Sequence, residues 1–116
     1  MSLAKENVMP AHPDRHQYVR RVLQQYMDLP HTPARYSRLD RQLAEQLWAR
    51  GVRFQDVEVA MLLATVRRLA RAPQAPTLGP IRSLHYFLPV LEEVTRQSLP
   101  ESYLHYLRQK VTELKP

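Results

Sequence analysis

Residues Phe54–Arg71 read FQDVEVAMLLATVRRLAR, and the rest of the chain must answer to this stretch. From Val57 to Val66 only Glu58 and Thr65 interrupt a run of apolar side chains. A helix at a protein surface carries an apolar stripe, whereas a helix apolar nearly all round is one that others pack around. The run is far short of the roughly 20 apolar residues that cross a bilayer. It therefore predicts a buried central helix of a soluble bundle, with no membrane segment. Its last turns change character, because Arg67, Arg68 and Arg71 leave the core as a basic cluster.

Working upstream, Ser37 followed by Asp40 is a variant of the capping box that opens helices. Leu39, Leu43 and Leu47 then recur every four residues, which predicts one buried face. Gly51 falls where the last turn should close and can take the left-handed conformation cheaply. Residues 37–71 thus read as two helices joined at Arg50-Gly51-Val52, a helical hairpin or a helix-turn-helix. Further upstream, Asp14 is positioned to cap a helix whose apolar face is Val19, Leu23 and Tyr26 with Val22 or Met27. Arg15, Arg20 and Arg21 lie largely off that face. Pro30 and Pro33 end this helix in a stiff connector, and residues 1–13, with Pro10 and Pro13, read as a loose arm.

Downstream of Arg71 the segment APQAPTLGP holds three prolines and a glycine in nine residues, so it should run extended over the surface. Helix is expected again from Ile81, with Pro80 at its first position and Leu84, Phe87, Leu88, Leu91 and Val94 buried. Pro89 falls inside that pattern and predicts a kink near Phe87–Leu88. Ser98 and Pro100 open a last helix, with Tyr103, Leu104, Leu107, Val111 and Leu114 on one face. The expected fold is all-α: a compact bundle of about five helices around the central helix 54–71, with 14–116 as one helical domain.

The 116 residues suffice for one core and not two. Absence of cysteine excludes a disulfide scaffold and any thiolate metal site, and fits a reducing cytoplasm. The first residues lack the apolar run of a signal peptide, so a cytoplasmic location is expected. Net charge is +6, from fourteen arginines and three lysines against eleven acidic residues. Such a balance points to an anionic partner, nucleic acid above all, because guanidinium groups clamp phosphate oxygens. A GC-rich genome produces the same bias without any function.

Catalytic patterns are missing. His12 and His16 are four apart, but the helix start and Pro13 fall between them and no third ligand is near, so no metal site is expected. Glu92 and Glu93 are adjacent, about 100° apart on a helix, and cannot work as a carboxylate pair. Neither Gly51 nor Gly79 sits in a phosphate-cradling loop, and no spacing of Ser and His suggests a nucleophile with its base. Neither an enzyme nor a cofactor is expected. What remains is surface: Arg67, Arg68 and Arg71, extended by Arg82, and a second set of Arg35, Arg38 and Arg41. Arginines at a helix C-terminus complement its dipole, whereas the second set stands at a helix start, where positive charge opposes it. Helix stability does not account for that second set, which makes it the stronger phosphate-contacting candidate. Tyr36, between its members, is placed to stack on a base.

From Leu43 the chain reads LAEQLWARGVRFQDVEVAMLLATVRRLA and, past the prolines, IRSLHYFLPVLEEV. This order resembles helical domains of replication-initiation proteins from phages, plasmids and other mobile elements, of the DnaD-like type. The matching positions are Gly51, Val57, Ala60, Ile81, Ser83 and Tyr86-Phe87, within residues 43–94. Such domains run on into a tryptophan region, where this chain has Val90–Val94 and a further helix. The resemblance implies an accessory DNA-binding or replication-complex role, and a chain that is the C-terminal piece of a longer protein. The functional expectation is therefore a nucleic-acid-binding accessory module that contacts single- or double-stranded DNA through the seven arginines named. The alternative is a helical protein–protein interaction module whose basicity is incidental.

Overall fold

The computed structural model describes residues 14–97 and 99–115. The expected arm 1–13, with His12, and the start signal at Ser98 lie outside the described residues. Five α-helices follow in order: α1 Arg15–Asp28, α2 Arg38–Ala49, α3 Phe54–Leu69, α4 Leu88–Thr95 and α5 Glu101–Leu114, with a 3-10 turn at Leu84–Phe87 before α4. No strand occurs among the described residues. The fold is all-α, as expected.

The expected central helix is α3. It packs against α4 and α5 on one side and α1 on another, while α2 lies on α1 and the 3-10 turn. Val57, Val59, Ala60, Met61, Leu62 and Ala64 are buried, so the all-round apolar run is used all round. Its two polar interruptions are buried with partners. Thr65 Oγ1 donates to the Met61 carbonyl at 2.7 Å. Glu58 Oε2 accepts from Arg108 Nε at 3.2 Å and Nη2 at 2.9 Å, tying α3 to α5. The helix closes at Leu69, with Ala70 as its cap, two residues before Arg71.

The start and stop signals act locally, as read. Asp14 accepts from the Gln17 N–H at 3.3 Å. Ser37 Oγ accepts from Asp40 N–H while the Asp40 carboxylate accepts from Ser37 N–H, a complete capping box. Gly51, at φ 76°, takes the left-handed place after α2. Its N–H bonds to the Trp48 carbonyl and the Val52 N–H to that of Leu47, the two bonds of a Schellman motif.

Two expectations are corrected. Leu39 does not join the buried face of α2 and is 63% exposed. Four residues make slightly more than one turn, so a run of leucines at that spacing drifts around the helix. The first-turn place on the buried side goes to Asp40, 1% exposed, followed by Leu43, Ala44 and Leu47. Nor does a kinked helix run from Ile81. Residues 81–83 are extended, and Pro89 sits in the first turn of α4, where its missing N–H has no intrahelical partner to lose. The reason lies elsewhere in the chain: Asp40 Oδ1 accepts the Leu84 N–H at 2.9 Å and Ser83 Oγ caps the 3-10 turn.

Candidate nucleic-acid interface

The arginines at the end of α3 are engaged within the fold. Arg67 grips Glu93 of α4 through two bonds, 3.0 and 2.9 Å. Those bonds hold the Glu93 carboxyl below the usual carboxylate range. Arg68 donates through Nε to His31 Nδ1 at 2.8 Å, through Nη2 to the Gly79 carbonyl and through Nη1 to the Tyr86 hydroxyl at 3.4 Å. Arg71 Nη2 reaches the Pro76 carbonyl at 2.6 Å. Arg68 and Arg71 thus strap the proline-rich segment onto α3. The same strap secures the α1–α2 connector, because His31, at a positive φ of 70°, also accepts the Ile81 N–H at 3.0 Å. A left-handed histidine is uncommon, and it is held here by contacts on its ring and its carbonyl. Arg82 is exposed and makes no ion pair or hydrogen bond with a described residue.

A different arrangement surrounds the second set. Between α1 and α2 lies a groove of about 320 Å³. Val19, Leu23 and Met27 give it an apolar floor, and Arg15, His16, Arg20, Tyr36 and Arg41 stand around it with Gln24 and Glu45. On α1 the lining residues recur at positions 15, 16, 19, 20, 23, 24 and 27, one side of a helix. Arg41 is paired with Glu45 one turn on, at 3.3 Å. Arg15, Arg20, Arg35 and Arg38 are exposed and, like Arg82, have no ion pair or hydrogen bond with any described residue. Arg38 precedes Arg41 by three residues and shares its side of α2; Arg35 adjoins Tyr36 in the connector. Tyr36 is 43% exposed.

The seven arginines expected from the sequence therefore do not form one set. Arg41 lines the groove, with Arg35 and Arg38 near it in the chain; Arg67 is paired with Glu93, Arg68 and Arg71 form the strap, and Arg82 follows it. In the sequence Arg15 and Arg20 fall off the apolar face of α1, and only the packing of α2 turns that flank into a wall. A helical-wheel reading would have placed them beside Val19 and Leu23, but not opposite Tyr36. Two further arginines have internal work: Arg21 lies over the Phe54 ring at 3.9 Å, and Arg53 pairs with Asp56 at 3.0 Å.

One contact has the residue types of a nucleophile and base, Ser83 Oγ at 2.9 Å from His85 Nδ1. Ser83 Oγ also accepts the His85 N–H at 3.0 Å, so the pair is two residues of one turn. No carboxylate among the described residues orients the imidazole through a hydrogen bond, as nucleophile activation requires. Among the described residues no helix is long and apolar enough to cross a membrane. Comparison with family models, with curated proteins and with solved structures returns no match to this chain.

Proposed function

We propose that the chain is a nucleic-acid-binding module that meets phosphates through Arg15 and Arg20 on α1, Arg35 in the connector and Arg38 at the start of α2. One observation carries this: Arg15 and Arg20, exposed and without partners among the described residues, line one groove, with Arg35 and Arg38, likewise exposed and unpartnered, close in the chain to its Tyr36 and Arg41, while the arginines at the end of α3 are taken up by the fold. An arginine whose donors are uncommitted keeps them for a phosphate, and releasing the phosphate's condensed counterions drives the binding. The positions of Arg35 and Arg38 support the same reading, since charge at a helix start is unfavourable to the helix itself. An accessory role in a replication complex, the one implied by the resemblance to replication-initiation domains, belongs to this proposal.

A second reading, a protein-interaction module, is favoured by the 63% exposure of Leu39 three residues from exposed Tyr36. Salt-titrated binding to single- and double-stranded DNA separates the two. The slope of log K against log salt is about −0.7 per phosphate contact on single strands and about −0.9 on duplex. Replacing Arg15, Arg20 and Arg38 together by alanine should flatten the slope by roughly two to three units. Replacing Arg68 and Arg71 should leave it unchanged. Absence of any salt-dependent binding would refute the nucleic-acid reading and leave the protein-interaction one.

A further inference from the structure

We infer that the groove between α1 and α2 receives one unpaired base of a single-stranded nucleic acid, with Arg15 and Arg20 on the phosphates beside it. The inference rests on the nucleic-acid reading above and goes further by choosing the strand state. A patch that only met duplex phosphates would need cations and nothing more. Over the buried Val19 and Leu23 this groove presents the partly exposed Met27 and the exposed ring of Tyr36, apolar surface on which a duplex, with its bases stacked inside, has no face to lay. A base freed from its stack presents an apolar face of the required kind, and the exposed ring of Tyr36 stands at the wall to stack on it.

Charge sets the direction of the strand. Arg41 is occupied by Glu45, so the α2 wall carries a carboxylate as well as a guanidinium, whereas Arg15 and Arg20 on the α1 wall are unopposed. Phosphates are therefore drawn to the α1 side and turned away from Glu45, leaving the base to point across the floor towards Tyr36. Size argues against a peptide. An amphipathic helix anchors through residues spread over two turns or more, and a groove of about 320 Å³ at the small end of ligand sites has no length for them.

The test is fluorescence anisotropy at matched salt with the full chain and four probes: a labelled single strand, its duplex, an abasic strand of equal length and charge, and polyglutamate. The single strand should bind at least about tenfold more tightly than the duplex and the abasic strand. Tyr36→Ala, at an exposed connector position and with folding checked by circular dichroism, should weaken single-strand binding roughly five- to hundredfold with the salt slope unchanged. Tyr36→Phe should restore it, and Arg20→Ala should instead flatten the slope. Equal binding of single strand, duplex and abasic strand, or indifference to Tyr36→Ala, overturns the inference while the nucleic-acid reading stands. Polyglutamate bound as tightly as the single strand overturns the inference in favour of an acidic protein partner. No binding of any nucleic acid overturns both.

Discussion

Replacing Asp40 by alanine probes a place where one buried polar side chain joins two distant parts of the chain. The residue is 1% exposed, and its two carboxylate oxygens hold different parts of the chain. Oδ2 accepts the Ser37 N–H at 2.8 Å and closes the start of α2. Oδ1 accepts the Leu84 N–H at 2.9 Å and fixes the start of the 3-10 turn, 44 residues away. A hydrogen bond to a charged partner is worth roughly 1.5–3 kcal/mol, and a buried donor left without an acceptor forfeits about 1–3 kcal/mol. The Ser37 N–H can turn to water when its acceptor is removed. Leu84 is 2% exposed, and its N–H cannot. Asp40→Ala should therefore cost about 3–5 kcal/mol, a large share of the roughly 5–15 kcal/mol that holds a domain together. Ser37→Ala, which removes only the cap, should cost about 1 kcal/mol. Asp40→Asn keeps the shape but has a single acceptor oxygen, so its loss should fall between the two. Urea unfolding of the three variants, read at the midpoint with the slope compared, measures this. If Asp40→Ala lies within experimental error of Ser37→Ala, the link to Leu84 contributes nothing and the side chain is an ordinary cap.

The two buried tyrosines should respond with opposite signs to loss of the hydroxyl. Tyr18 donates to the Val52 carbonyl at 2.7 Å, so Tyr18→Phe should destabilise by about 0.5–1.5 kcal/mol, whereas the Tyr26 hydroxyl has no hydrogen-bond partner among the described residues and Tyr26→Phe should be neutral or stabilising in the same unfolding assay. Burial, with Asp56 or Asp40 adding repulsion, pushes both phenols up to about 12. Their folded values lie above the ordinary 10.0, so their contribution is complete below pH 10 and is lost as the pH rises towards 12, and unfolding on the alkaline side should be delayed in Tyr26→Phe. Pro89→Ala should change stability by less than about 0.5 kcal/mol, since the proline occupies a first turn; a loss above about 2 kcal/mol would mean that it shapes the path of the chain. Arg68→Ala should cost about 1–2 kcal/mol, discounted for solvent, and should speed proteolytic cutting between residues 72 and 80 without weakening nucleic-acid binding.

What could be read from the chain was what depends on near neighbours. The Asp14 cap, the Ser37–Asp40 box and the Gly51 turn each involve hydrogen bonds between residues five apart or fewer, and each occurs as read. The all-round apolar character of α3 was legible because burial on every side leaves no polar stripe. Misreadings arose where a distant partner decided. Leucines recurring every four residues favour a face that includes Leu39, but Asp40 takes that place because Leu84 supplies an N–H. Pro89 looked like an interruption only because helix was extended back to Ile81, and the backbone there is held straight by its bond to His31. Glu58 interrupts an apolar run until Arg108, 50 residues on, is brought beside it.

The arginines show the same division, and it bears on function. A count of basic residues along a chain says how many guanidinium groups exist, not how many have donors to spare. Arg67, Arg68 and Arg71 form the densest run, and the helix dipole already favours them at the end of α3. The fold adds carbonyls, an imidazole and a carboxylate, so their donors point inward and their loss should be felt as stability. Arg38 stands at the opposite end of a helix, without a partner among the described residues and against the dipole, so its charge does not favour the helix. Arg38→Ala should leave stability unchanged or slightly raised in the same urea unfolding assay, and on the nucleic-acid proposal its loss is read in the salt slope of binding instead.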